Sequence, residues 1–524
     1  MVLVPLFINA QSVADAINWS FENESGNSRY ESMAGAFGAL GGNLSAISNN
    51  PASGSVFELS RFGVSLIVNN NSTESLYNNN QNSLSSGNSN YQAGLIYVFK
   101  NYGSGNLNKF SVGLNFQSVS NFNDEIKISG RSQNSIDNFF LNNSLGVNVN
   151  NISVGSNETV SGVYRWLGDN LGYYAQQAFL GYQSYLLNYD SESGSFYSLA
   201  KYDNGVNHDH QIFSSGFNNQ VSFNLSWQFK ENLYMGINLN FYDVLAEKEI
   251  RHIESSFDSD SPITDIDFRN YLTTNGQGIS VQGGMIYKVG TVRLGLSYST
   301  PTYYNFEDNL EQYIKTSSID VDNVSYTDIV DPRITNIYNY DFKSPSKLTF
   351  SGGVVINNMI ILSADIISKN YSKSEFKHQN DGVYNYLNNA VAKNLTNVLD
   401  YKFGTEIKFN QFSIRGGYKA LNNPYKNIDE KYVTTQSFGF GYEFNSATLD
   451  LAIINSKNDY AYQLFDTGLT ESANINNKLI NSKMLIHNSC TTAFQAYSLK
   501  IPVSYTHLRA HETDSYLVCR LLLE

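Results

Sequence analysis

Cysteine is almost missing from this chain: two residues in 524, Cys490 and Cys519. The first 489 residues therefore hold no disulfide framework and no cysteine-based metal site. Charge is scarce too, at 15% of residues, and its balance of −13 excludes nucleic acid as a partner. No run of eighteen apolar residues occurs, so no transmembrane helix is available.

Catalytic signatures are also missing. There is no Gly-x-Ser-x-Gly elbow and no zinc-protease helix motif. Gly276-Gln277-Gly278 opens a strand-like segment rather than a helix, so a dinucleotide reading fails. His208-Asp209-His210 stands in a polar stretch without further metal ligands nearby in sequence, so no metal or cofactor is assigned. Asp258, Asp260, Asp265 and Asp267 read as a solvated loop surface, with calcium bridging as the alternative.

Strand alternation fills the chain instead. Val221, Phe223, Leu225, Trp227 and Phe229 alternate with Ser222, Asn224, Ser226 and Gln228. Leu233, Met235, Ile237, Leu239 and Phe241 do the same against Tyr234, Gly236, Asn238 and Asn240. Thirteen such segments fall at 60–69, 91–100, 109–119, 219–229, 233–243, 278–288, 291–299, 346–356, 359–369, 400–408, 411–419, 436–444 and 448–457. Their connections alternate between very short, such as Val289-Gly290, and long: 70–90, 120–218, 244–277, 300–345, 370–399 and 420–435. One apolar and one Asn/Ser/Gly-rich face, with two classes of loop length, predict an all-β transmembrane antiparallel barrel in a bacterial outer membrane. A soluble β-sandwich would carry more charge on its wet face. Aromatics at 14%, with 37 tyrosines, suit interfacial girdles. No histidine falls in any of the thirteen segments, which argues against a hydrolase on the wall.

Four regions follow. Residues 1–10 resemble the end of a signal-peptide apolar region, with cleavage expected after Ala10. Residues 11–59 form a small-residue segment without alternation, and 60–477 the barrel. Beyond 478 the alternation fades, and from about 503 the chain resembles translated sequencing-adapter read-through. Thirteen strands cannot close with antiparallel pairing throughout, so a fourteenth is expected to have been lost there.

The run Gly38-Ala-Leu-Gly41-Gly42-Asn-Leu-Ser-Ala-Ile-Ser-Asn-Asn50-Pro51-Ala52 closely resembles the hatch of the outer-membrane long-chain fatty-acid and aromatic-hydrocarbon transporter family, in its Bacteroidetes branch. Further matches, in order, are Gly276-Gln-Gly278 to Ser299-Thr-Pro301, Ser344-Pro-Ser-Lys-Leu348, and Gly404-Thr-Glu406 with Arg415-Gly-Gly-Tyr418. The resemblance implies a monomeric fourteen-stranded barrel plugged by an N-terminal hatch in its lumen. It implies capture of hydrophobic small molecules, fatty acids or hydrocarbons, by outer loops, and sideways release into the outer-membrane lipid without a chemical step. Asn43 and Ser53 depart from the family's usual acidic residue and glycine. Other uses of such a barrel are a secretion-system partner receiving cargo proteins and a general porin.

Candidate hatch residues are Gly41, Gly42, Asn50, Pro51 and Ala52. Candidate ligand contacts lie in the longest loop, where Leu171, Tyr174, Ala178, Gly181 and Tyr185 recur at helical spacing near Trp166 and Phe179. Such a helix forms either a greasy landing groove or a lid packed on other loops. Arg293 and Arg415, with Lys109, are placed to bind a carboxylate head group or to brace the wall against Asp365, Glu406 and Glu443.

Overall fold

The computed structural model of the chain describes residues 11–500, apart from 24, 79, 102–104, 379–383, 427, 429–430, 445–446, 463 and 465–484. Four antiparallel hairpins open the wall. They use β1 (Arg61–Tyr77), β2 (Asn80–Lys100), β3 (Leu107–Asn121), β4 (Val206–Phe229), β5 (Leu233–Ser255), β6 (Ile263–Val289), β7 (Val292–Ser299) and β8 (Lys347–Ile356). Six strands complete it: β9 (Ile360–Asn370), β10 (Asn397–Phe409), β11 (Phe412–Asn422), β12 (Lys431–Glu443), β13 (Ala447–Ala461) and β14 (Leu485–Lys500). Each strand pairs antiparallel with its successor. β14 then pairs with β1, from Arg61↔Lys500 to Leu76↔Leu485, and the ladder returns to its start.

Two expectations are corrected here. The fourteenth strand is present at Leu485–Lys500, inside the segment read as a faulty tail. It escaped notice because Leu485-Ile486-His487-Asn488 and Ser489-Cys490-Thr491-Thr492 carry no apolar/polar alternation. The signal-like residues 1–10 and the adapter-like residues beyond 500 lie outside the described residues.

The second correction concerns the long loops. β4, β5 and β6 continue well past the alternating segments, and 80–90, 244–255 and 263–277 are strand, not coil. Consequently His208, His210 and His252 lie in strands, as His487 does in β14. Outward apolar residues thin out where the strands leave lipid, since that face is then wet, but the hydrogen-bonded ladder does not need them.

The outward face is apolar over a continuous belt. It includes Phe62, Val64 and Leu66 on β1, Met235, Ile237 and Leu239 on β5, Phe403 and Ile407 on β10, and Phe438 and Phe440 on β12, all exposed. The inward partners, such as Ser222, Asn224, Ser226, Asn238 and Asn240, are buried and polar. An apolar skin around a polar interior is stable only in hydrocarbon, so the barrel spans a membrane, as outer-membrane barrels do. Among the described residues no helix is long and apolar enough to cross.

Above the belt, Thr300-Pro301-Thr302 and Ser344-Pro345-Ser346 break two neighbouring strands at one level, where proline supplies no N–H to the ladder. The breaks bond each other, Ser344 N donating to Thr302 O at 3.0 Å and Thr302 N to Ser344 Oγ at 2.9 Å. Beyond them Tyr303–Ile319 pairs with β6 and with Asn336–Lys343. Outer-loop helices Asp137–Ser144, Val160–Asn170 and Tyr173–Gln183 pack around Phe140, Tyr164 and Phe179 against Ile266, Phe268 and Ile314.

Candidate functional site

Small residues let the N-terminal segment lie directly on the barrel wall. Residues 28–56 are almost wholly buried in the lumen. Gly41 and Gly42 have φ of 62° and 66°, a left-handed turn that only glycine adopts without strain. That turn carries the chain from Phe37 back towards Ser53, with Gly42 N donating to Ser53 O at 3.2 Å.

The wall answers with glycines of its own. A Cβ on Gly236 would meet Pro51 O at 2.4 Å, and one on Gly295 would meet Gly38 O at 2.4 Å. Likewise, a Cβ on Gly284 would lie 2.1 Å from Asn50 Oδ1, and one on Gly417 would lie 2.4 Å from Met33 C. These positions leave the backbone bare where the hatch docks.

Asn50 is the pin. Its Nδ2 donates to Gly38 O at 2.7 Å, Met285 O at 3.2 Å and Leu296 O at 3.5 Å. Its Oδ1 accepts from Ala52 N at 3.1 Å, capping the 3₁₀ turn Pro51–Val56, and Pro51 suits that first position. Wall side chains reach inward in return: Asn224 to Pro51 O at 2.9 Å, Asn238 to Ile47 O at 2.8 Å, and Gln282 to Asn49 O at 3.0 Å.

A buried ion network ties the other end. Glu406 accepts from Arg29 of the hatch at 2.7 Å and from Arg415 of the wall at 2.5 Å, while Arg415 also donates to Asp450 at 2.6 Å. Arg293 donates to Leu40 O, and Lys109 bonds Glu58 at 2.6 Å.

Above the hatch is an aromatic chamber. Tyr242, Tyr304, Phe306, Tyr340, Phe342, Phe376 and Tyr384 form one buried cluster. Into it goes α1 (Val13–Ser20), which buries Ala16, Ile17 and Trp19. Trp19 lies 4.8 Å from the Phe306 ring, and Gln11 donates to Asp308 at 2.9 Å. Just beyond α1, Glu22 bridges Lys347 at 2.6 Å and Lys369 at 2.9 Å. Burial alone would raise the Glu22 pKa, but the two ammonium groups hold it well below the usual carboxylate range.

The chain leaving α1 meets a break in the wall. β2 pairs with β3 only from Lys100↔Lys109 up to Ala93↔Phe116. Further up, β2 stays with β1 as far as Asn80, and β3 stays with β4 as far as Asn121. Among the described residues no ladder joins 80–92 to 117–121; Asn121 Nδ2 donating to Asn90 Oδ1 at 2.9 Å spans the gap. Asn23 N donates to Val119 O at 3.0 Å and Ser25 N to Ser118 O at 2.9 Å, so hatch and departing strand are bonded together.

The structure groups Gly41, Gly42, Asn50, Pro51 and Ala52 on the seat. It does not bring Trp166, Leu171, Tyr174, Phe179 and Tyr185 into the chamber. Phe179 is fully buried in the loop-helix core, Leu171 and Tyr174 pack at its margin, and Trp166 and Tyr185 are exposed. Arg293 and Arg415 brace hatch and wall. The chamber tyrosines lie in 300–345, a stretch that the loop-length pattern assigns to a connection. The signal was there: Tyr304, Phe306, Asp308, Leu310, Gln312 and Ile314 alternate with exposed or half-buried neighbours.

A closed, lipid-facing ladder with a seated hatch defines a plugged transmembrane β-barrel. No protein-family model and no curated protein sequence matches the chain. Solved structures do. A Pseudomonas aeruginosa FadL homologue superposes with a TM-score of 0.53 at 10% identity, covering 92% of this chain and 99% of its own. The P. putida toluene transporter TodX gives 0.47 at 13% identity over 91% of this chain and 99% of its own. The CymD monoaromatic hydrocarbon channel gives 0.46 at 12% identity over 91% and 98%. The first of these establishes that the chain has the FadL-like fold.

Proposed function

We propose that this barrel is a passive transporter of hydrophobic molecules, with long-chain fatty acids or related hydrocarbons as substrates. One observation carries the reading. The aromatic chamber is filled by the hatch's own α1, and the chain leaving α1 is bonded to β3 where β3 parts from β2. A ligand that displaces Trp19 from the chamber thereby pulls on the edge of the lateral gap. Apolar burial, at about 25 cal/mol per Å², supplies the affinity, and no chemical step is needed.

Lys347 and Lys369, both largely buried and sharing the Glu22 carboxylate, are a ready cradle for a substrate carboxylate that replaces it. Methionine at both lysines is expected to reduce binding of a long-chain acid by more than tenfold and leave an uncharged arene unaffected, read by titration of the purified barrel. Equal loss for both ligands would remove the head-group role.

The direct test of sideways release is a reversible cross-link. Cysteines at Asn90 and Asn121, with Cys490 and Cys519 changed to serine, should abolish uptake when oxidised and restore it on reduction. Uptake that ignores the oxidised bridge would exclude this gap as the exit. A purified barrel devoid of lipid but carrying a protein cargo would overturn the transport reading itself.

A further inference from the structure

We infer that the extracellular extension of β4 and β5 carries a buried site for a divalent transition-metal ion of the zinc class, with His208, His252 and Glu254 as ligands. The two strands place four side chains in a square on their inner face. His208 is paired across the ladder with Glu254, and His210 with His252. The first strand carries a His-x-His pair, and the second supplies the further ligands, forty-odd residues later in the chain.

The donor atoms converge. Glu254 Oε1 lies 3.1 Å from His208 Nε2 and 3.0 Å from His252 Nε2, and the three ligand atoms all fall within 4.8 Å of one another. Tetrahedral bonds of about 2.0–2.1 Å put neighbouring ligand atoms roughly 3.3 Å apart, so small side-chain movements admit the ion. All three residues are buried.

The surroundings hold these side chains in place, and the ion would take over His208 Nε2 from its 2.8 Å contact with Asn134 O. With Nε2 on a metal, each imidazole must carry its proton on Nδ1 and donate from there. His208 Nδ1 faces Tyr77 OH at 3.1 Å, and His252 Nδ1 faces His210 Nδ1 at 3.1 Å. His210 then keeps its own proton on Nε2, a buried nitrogen without a hydrogen-bond partner among the described residues. Glu254 is fixed by Ser135 Oγ at 2.5 Å and Ile136 N at 2.7 Å.

Charge argues the same way. Glu254 is wholly buried, and among the described residues its ion-pair partners are only the two imidazoles, with no lysine or arginine. A buried carboxylate is costly without a cation, and a divalent ion provides one. Ser135 and Ile136 immediately precede the helix Asp137–Ser144, so the ion would staple the outer-loop helices to the strands beneath them.

The test uses the full-length barrel in detergent, stripped with chelator, with Cys490 and Cys519 replaced by serine in every sample. Titration with Zn²⁺ should show one saturable equivalent, and Co²⁺ should give the visible bands of a low-coordinate site. His252→Ala and Glu254→Gln should abolish both. Tyr77→Phe and His210→Phe, which keep the donors, should weaken binding by about 10–100-fold. Heat-modifiable gel migration checks that each variant has folded. Absence of saturable binding in the parent protein, or full binding retained in His252→Ala, would overturn the proposal.

Discussion

Replacing Asn50 with leucine will leave an inserted barrel whose hatch no longer holds. Leucine matches the volume but offers neither donor nor acceptor, so Gly38 O and Ala52 N, both reached now by the Asn50 amide, lose their partner. Two buried backbone groups left unpaired cost about 1–3 kcal/mol each. The loss falls on the docked hatch, because the β6–β7 ladder keeps its own pairs from Val292↔Val289 to Ser299↔Gln282. Expected results are raised single-channel conductance in planar bilayers and rapid proteolysis within 28–56, with barrel melting little changed. Gly284→Leu should give the same phenotype from the other side, since its Cβ alone would overlap the Asn50 side chain. Parental conductance in both variants would mean that the seat does not depend on this pin.

Glu406→Ala will be the most damaging single change in the wall. Arg29 and Arg415 converge on this carboxylate, and Arg415 retains Asp450, so the alanine variant strands Arg29 beside another cation. Breaking a buried ion pair by removing one partner costs about 3–5 kcal/mol. Arg29→Ala should cost less, because Glu406 then still has Arg415. The order of melting temperatures, followed by circular dichroism, should therefore be parent, Arg29→Ala, Glu406→Ala. The reverse order for the two variants would show that Arg29 contributes by something other than this pairing.

The sequence was legible where a side chain must choose between lipid and lumen. Phe223 and Leu225 against Ser222 and Asn224 declare a strand, because the two environments differ so sharply. Once β5 rises past Phe241, its outward residues become Asp243, Leu245, Glu247, Glu249, Arg251 and Ile253, mostly charged, and little contrast remains to be read. In the aromatic chamber the contrast runs the other way, with Tyr304, Phe306 and Leu310 inward and polar Asn305, Glu307 and Asn309 outward beyond the belt. The hatch was legible as a motif, but its partners were not. Gly236, Gly284, Gly295 and Gly417 look like weak strand residues until the hatch backbone is seen lying against them. The imidazole–carboxylate square needed the β4–β5 register, which pairs residues far apart in sequence.

The bare patches on the wall have a mechanical consequence. A stopper seated on matched glycines cannot slide along the strands, because the next inward positions, such as Tyr234 and Asn238 beside Gly236 and Gln282 and Ile286 beside Gly284, carry side chains that would collide with it. Its glycine-seated end is therefore a fixed bearing, and the part left to move is the lip formed by α1, residues 21–23 and Ser25. On the proposed reading, traffic depends on how often that lip lifts, not on withdrawal of the whole stopper. On the proposed transport reading, a greasy cargo would leave sideways while the seated stopper stays across the axis of the barrel.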